Sequence, residues 1–202
     1  FVLCFFNTTN SQVSTIWCGQ QVLQDKLLQN SAFQKMHLQE QRLLDSLTQR
    51  YHGSKGVVYT IPVVFHVVHN NGEEKIDRDQ ILDALYILNR DLRLLDPDTS
   101  TLDSAFAALA ADNEIEFVLA TKAPDGTCFS GITYTQTPYS FNTGSINGDD
   151  QVDAVMMFND VYQGNWSGHE YLNVFVCGAV GAGIAGYTYY PSGWFGTSMA
   201  NG

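Results

Sequence analysis

Apolar residues fall into distinct rhythms along the chain, and each rhythm predicts a different kind of element. Over residues 22–50 the spacing is helical. Val22, Leu23, Leu27 and Leu28 repeat three to five apart, and Phe33, Met36, Leu43, Leu44 and Leu47 continue in a second stretch. Asn30-Ser31 between them offers a break and an N-cap, because a short side-chain oxygen can accept from the free N–H groups of a first helical turn. Residues 51–56 (YHGSKG) are a polar, glycine-bearing linker, and the composition changes after it. Residues 57–68 (VVYTIPVVFHVV) are β-branched and nearly continuous, which predicts a strand buried on both faces. Pro62 belongs to its early part, since proline cannot donate to a ladder.

After the turn Asn70-Asn71-Gly72 the helical rhythm returns. Asp77 or Asp79 can cap a helix with one apolar stripe, Ile81, Leu82, Leu85, Leu88, Leu92 and Leu95, that ends near Asp96-Pro97. Residues 115–120 (IEFVLA), 131–136 (GITYTQ) and 171–177 (YLNVFVC) read as further strands. Between the last two lies an Asn/Gly/Asp-rich region around a short element at 152–158, and a glycine-rich stretch at 178–186 leads into extended residues 187–191. Strand, helix, strand, strand, long loop, strand is an α/β pattern.

Composition narrows the function classes. A 202-residue chain that is 45% hydrophobic can bury one core of ordinary domain size. Its formal net charge of -11 argues against nucleic acid and anionic membrane surfaces as partners, since phosphate binding needs basic patches. Residues 1–6 (FVLCFF) are too few to span a bilayer, which takes about 20. They read as the tail of a secretory signal, with residues 1–15 as its remnant and leader, although a short N-terminal strand is an alternative. The chain stops at Asn201-Gly202 without a closing element and reads as part of a longer protein. Once Cys4 leaves with the leader, Cys18, Cys128 and Cys177 remain, an odd number for a secreted protein.

Several motifs fail when their chemistry is checked. His66 and His69 stand three apart in a strand, where alternation sends them to opposite faces, so they read as structural histidines. His169-Glu170 opens like the HExxH zinc motif, but Asn173 stands where the second His belongs. Asp96-Pro97-Asp98 lacks the glycine and glutamate of a calcium loop, with Thr101 and Ala107 in their places. Residues 181–186 spell GxGxxG after a strand, but Tyr187-Thr188-Tyr189-Tyr190-Pro191 follows instead of a helix that could receive a phosphate. This dinucleotide reading gives way to a glycine-rich loop before an edge strand. Asn7 and Asn165 lie in glycosylation sequons too short to decide anything.

Read together and in order, several segments resemble the pappalysin family of metzincin metallopeptidases, in its ulilysin-like branch. They are residues 59–68 (YTIPVVFHVV), 81–95 with LNRDLR at 88–93, 110–119 (AADNEIEFVL), 131–137 (GITYTQT), 171–177 and 185–193 (AGYTYYPSG). The resemblance implies a metzincin upper subdomain, a twisted mixed sheet, mostly parallel, with flanking helices, preceded by a small helical propeptide. Residues 16–56 are then the propeptide and residues 57–202 the N-terminal part of the catalytic domain. It implies a secreted, extracellular zinc endopeptidase precursor acting on proteins and peptides, with structural calcium compatible, and with no membrane attachment after signal removal. Ala185, Gly186, Tyr187 and Thr188 would form the edge strand along which a substrate backbone pairs antiparallel. Cys18 would be the latency thiolate, capping zinc in place of the catalytic water. A structural cysteine at a helix-entering turn, or a disulfide to Cys128 or Cys177, is the alternative. The family holds zinc with HExxHxxGxxH, whose glutamate polarises the attacking water. That motif is absent from these 202 residues, so they would be inactive alone and the motif is expected downstream. A non-catalytic extracellular α/β binding module is the competing function.

Overall fold

The computed structural model describes residues 17–18, 20–50, 56–141, 149–180, 184–186 and 188. In chain order these form β1 (Trp17–Cys18), α1 (Gln20–Leu27), α2 (Ser31–Arg50), β2 (Tyr59–His69), α3 (Arg78–Leu92), α4 (Ser104–Ala107), β3 (Ile115–Leu119), β4 (Ile132–Gln136), α5 (Asp149–Phe158), β5 (Leu172–Val176) and β6 (Ile184–Gly186). The expected α/β fold with flanking helices is present. The expected leader at 1–15 lies outside the described residues, as does the linker apart from Gly56.

β2 organises the sheet. Its odd-numbered residues bond to β3 and then to β4 along one edge: Ala120 N donates to Val63 O at 2.9 Å, and Phe65 N donates to Gly131 O at 3.0 Å. β5 pairs with the other edge, from Val63↔Leu172 to Val67↔Val176. Two short strands therefore share one side of a long one, end to end. Gly131 makes that succession feasible. Its φ is +77°, and a Cβ there would lie 2.6 Å from Leu119 Cβ, so only glycine fits where β3 leaves and β4 enters. All described strand pairs are parallel, with one isolated antiparallel bridge between Lys122 and Cys128, as expected of a mostly parallel sheet.

The two faces of β2 feed two cores. Val64 and Val68 pack with Ala120, Ala123, Val155 of α5 and Trp166, while Val67 packs with Ile81 of α3 and Ile132. This is why the run at 57–68 shows no polar alternation: helices cover both sides. Asp77 caps α3 in a reciprocal box with Gln80, at 2.8 and 3.0 Å, worth about 1 kcal/mol. Asn30 accepts from Ala32 N and Phe33 N, the N-cap expected between α1 and α2.

The expected apolar stripe of α3 needs correcting. Only Ile81 and Leu85 are buried in the helix, while Leu82, Leu88 and Leu95 are exposed. The helix also stops at Leu92 instead of near Asp96. Ile81, Leu85 and Asn89 stand four apart on the line that meets the sheet, so Leu82 and Leu88 fall to either side of it, and Leu95 lies beyond the end of the helix.

The motifs that carry the resemblance bond to one another. Asn89 donates to Phe117 O and accepts from Phe117 N, both at 2.7 Å. It thereby covers the open edge of β3, which would otherwise offer a template to another strand. Arg90 pairs with Asp96 at 2.8 Å and Arg93 with Asp112 at 2.9 Å.

Candidate functional site

The segment leading toward the candidate edge is anchored from below. Ser140 donates its hydroxyl to Val68 O at 2.8 Å and accepts from Gly178 N at 3.1 Å, and Ala179 N donates to Ser140 O at 3.0 Å. Gln151 of α5, 2% exposed, donates to Tyr139 O at 3.0 Å. These bonds fix where the chain leaves β5. Residues 181–183 lie outside the described ones, and the chain is next described in β6. Of the four candidate substrate-edge residues, Ala185 and Gly186 are in β6 and Thr188 lies two residues beyond it, outside any regular element, whereas Tyr187 lies outside the described residues. β6 is described at Ile184–Gly186, and of the extended stretch expected at 187–191 all but Thr188 lies outside the described residues.

The partner of β6 is β1. The pairing is parallel, with Trp17 opposite Ile184 and Cys18 opposite Gly186. Just beyond it, Thr188 N donates to Gln20 Oε1 at 2.9 Å. The structure therefore brings the backbone of the candidate latency cysteine onto the candidate substrate edge, across more than 160 residues of sequence. Sequence reading named both segments and missed their contact, and it missed Gln20 altogether. No local spacing signals such a pair. Cys128 and Cys177 are free thiols, which removes the alternative of a disulfide from Cys18 to either. Burial pushes the Cys177 thiol up, away from reactivity.

The histidines behave as structural groups. His66 is fully buried between Phe175, stacked at 5.0 Å, and the edge of Trp166 at 5.1 Å. Its Nε2–H donates to Asn173 Oδ1 at 3.2 Å, and Nδ1 accepts from the Thr133 hydroxyl at 2.8 Å. Asn173 in turn donates to Trp166 O at 2.7 Å, which fixes its oxygen toward the imidazole. The residue at the place of the missing zinc ligand is therefore the partner that satisfies a buried histidine. His69 lies on the opposite face, edge-on to Tyr134. Desolvation, with Lys75 nearby, lowers its pKa. His169 is exposed in a turn.

Burial pushes the His66 pKa down to about 4, against the Asn173 hydrogen bond that raises it. The folded state thus keeps His66 neutral where the unfolded chain, near 6.5, takes a proton. Stability is complete above pH 6.5 and falls as pH drops toward 4, by about 3 kcal/mol in all. Urea midpoints should decline between pH 6.5 and 4.5, above the range where most carboxylates titrate. A flat profile over that window would contradict the assignment.

Among the described residues, no group of three His, Cys, Asp or Glu converges to hold a metal ion. The described residues do not fit the catalytic zinc that the resemblance implies. No described helix is long and apolar enough to cross a membrane.

No family model and no curated protein matches the chain. Solved structures do. Mirolysin in complex with compound 9 is 36% identical with a TM-score of 0.55, over 67% of this chain and 48% of that one. A Tannerella forsythia promirolysin mutant is 32% identical with a TM-score of 0.63, over 88% of this chain and 55% of that one. Tannerella forsythia mature mirolysin in complex with a cleaved peptide is 37% identical with a TM-score of 0.51, over 59% and 42% respectively. The chain spans about half the length of the structures it matches. These neighbours are metallopeptidases.

Proposed function

The chain belongs with the pappalysin-type, ulilysin-like metzincins, and on that premise we propose that it is part of the precursor of a secreted zinc endopeptidase, held latent by its own N-terminal segment. Residues 1–15 are the signal remnant and leader, residues 16–56 the propeptide, and residues 57–202 the beginning of the catalytic domain. Ala185, Gly186, Tyr187 and Thr188 receive the substrate backbone by strand addition.

The observation that carries this reading is the parallel pairing of β1 on β6. A substrate would lie antiparallel on the same edge. The propeptide therefore occupies the edge with its backbone reversed, and denies it to a substrate without presenting a peptide bond in the productive direction. The match to promirolysin reaches 88% of this chain, against 67% and 59% for the two mirolysin structures, which supports a precursor with a propeptide. That mature mirolysin was captured with a cleaved peptide supports peptides as the substrate class here.

Cys18 supplies the latency thiolate in this reading. The zinc ligands come from chain beyond Gly202, in an HExxHxxGxxH motif about 15–40 residues on, whose helix sets two His one turn apart on a single face. The 202 residues alone hydrolyse nothing, because a tight zinc site needs three or four converging ligands.

The test uses the full-length protein with residues 1–56 removed. It should cleave a denatured protein substrate, lose that activity to a chelator and regain it with zinc. A zinc-loaded protein that binds peptides without cutting them would establish the non-catalytic binding module instead.

A further inference from the structure

The structure assigns Gln20 a role in the inhibitory segment that its sequence gives no hint of: we infer that its side-chain amide occupies the Thr188 N–H that a substrate backbone carbonyl would otherwise take. The inference rests on the reading of residues 185–188 as the substrate edge. With Cys18 opposite Gly186, a β1 continued by two residues would bring residue 20 opposite residue 188. The backbone does not continue. α1 begins at Gln20, and its helical turn carries the main chain away from the strand line. The Gln20 side chain reaches back instead, and its Oε1 accepts from Thr188 N at 2.9 Å.

A glutamine amide carbonyl is chemically the same acceptor as a peptide carbonyl. The contact therefore extends the β1–β6 ladder by one rung while contributing no main-chain amide to the cleft. A backbone carbonyl in that position would belong to a peptide bond laid along the edge. A side-chain carbonyl fills the donor with nothing cleavable attached. Gln20 is a positioning residue: through this bond it holds β1 on β6 and keeps the Thr188 N–H from a substrate carbonyl.

The experiment compares Gln20→Met and Gln20→Glu in the full-length precursor, with Cys18→Ala alongside. Methionine keeps length and helix propensity but removes the acceptor, whereas glutamate keeps one. The expected result for Gln20→Met is amide exchange at Thr188 faster by about tenfold, and peptide hydrolysis before propeptide removal higher by about five- to tenfold, the effect of one hydrogen bond. Gln20→Glu should stay near wild type in both. Unchanged Thr188 exchange in Gln20→Met would overturn the contact, and faster exchange with unchanged latency would overturn the competition with substrate. If Cys18→Ala opens the precursor and Gln20→Met does not, this inference falls and the functional reading stands. If removal of residues 1–56 releases no hydrolysis at all, the functional reading falls and takes this inference with it.

Discussion

Cys18→Ala in the full-length precursor is expected to raise peptide hydrolysis before propeptide removal by about two orders of magnitude, the factor gained when a site open 1% of the time becomes open most of it. The expectation rests on placement. Cys18 is paired opposite Gly186 on the candidate substrate edge, in a strand running parallel to it. Cys128 and Cys177 are free, so no disulfide to either competes for the Cys18 thiol. A thiolate is a strong zinc ligand and fills the open fourth position that a catalytic site keeps for water. Alanine would leave the β1–β6 backbone pairing in place and remove only the proposed thiolate cap. Initial rates on a fluorogenic peptide, with autolytic processing followed by mass spectrometry, separate opening from cleavage. Latency unchanged from wild type would show that another propeptide residue blocks the site.

The second large effect is on stability. Trp166→Ala should cost about 3–5 kcal/mol, the range for deleting a fully buried large aromatic. Trp166 is 0% exposed and packs against His66 at 5.1 Å, Phe129 at 5.3 Å, Tyr171 at 5.7 Å and Tyr162 at 5.8 Å. Its indole N–H donates to Tyr162 O at 3.3 Å. The loss would also open a wall of the His66 pocket, where the imidazole is kept neutral by burial. Against a total stability of about 5–15 kcal/mol for a domain, this is a large fraction of the chain's margin. Trp166→Phe refills much of the volume and should cost less than half as much. Urea unfolding of the three proteins measures this, and an alanine variant within about 1 kcal/mol of wild type would contradict the core assignment.

The elements most legible in the sequence were those whose signals are local. The β-branched run at 57–68 announced a doubly covered strand, and β2 is buried on both faces from Val63 onward. The Asp77 cap and the break at Asn30 were readable because capping depends on residues two to four apart. The stripe of α3 was over-read because periodicity reveals which residues could face a core and not how far the core extends. Leu82 and Leu88 flank the line of Ile81, Leu85 and Asn89 that meets the sheet, and Leu95 follows the rhythm past the end of the helix. What stayed hidden was bonded over long separations. Asn89 closing the edge of β3, Asn173 satisfying His66 and Gln20 reaching Thr188 involve partners 28, 107 and 168 residues away. Each is an ordinary polar residue with no pattern around it. The candidate site itself was nameable only through the family resemblance, since neither Cys18 nor residues 185–188 carry a motif specific by spacing.

The most direct test of latency by this propeptide is zinc K-edge X-ray absorption of the full-length precursor. The account predicts one sulfur scatterer at about 2.3 Å beside nitrogen ligands at about 2.0–2.1 Å, and loss of the sulfur shell in Cys18→Ala with the nitrogen shell retained. A zinc shell of nitrogen and oxygen alone in the wild-type precursor, or a sulfur shell that survives Cys18→Ala, would contradict it.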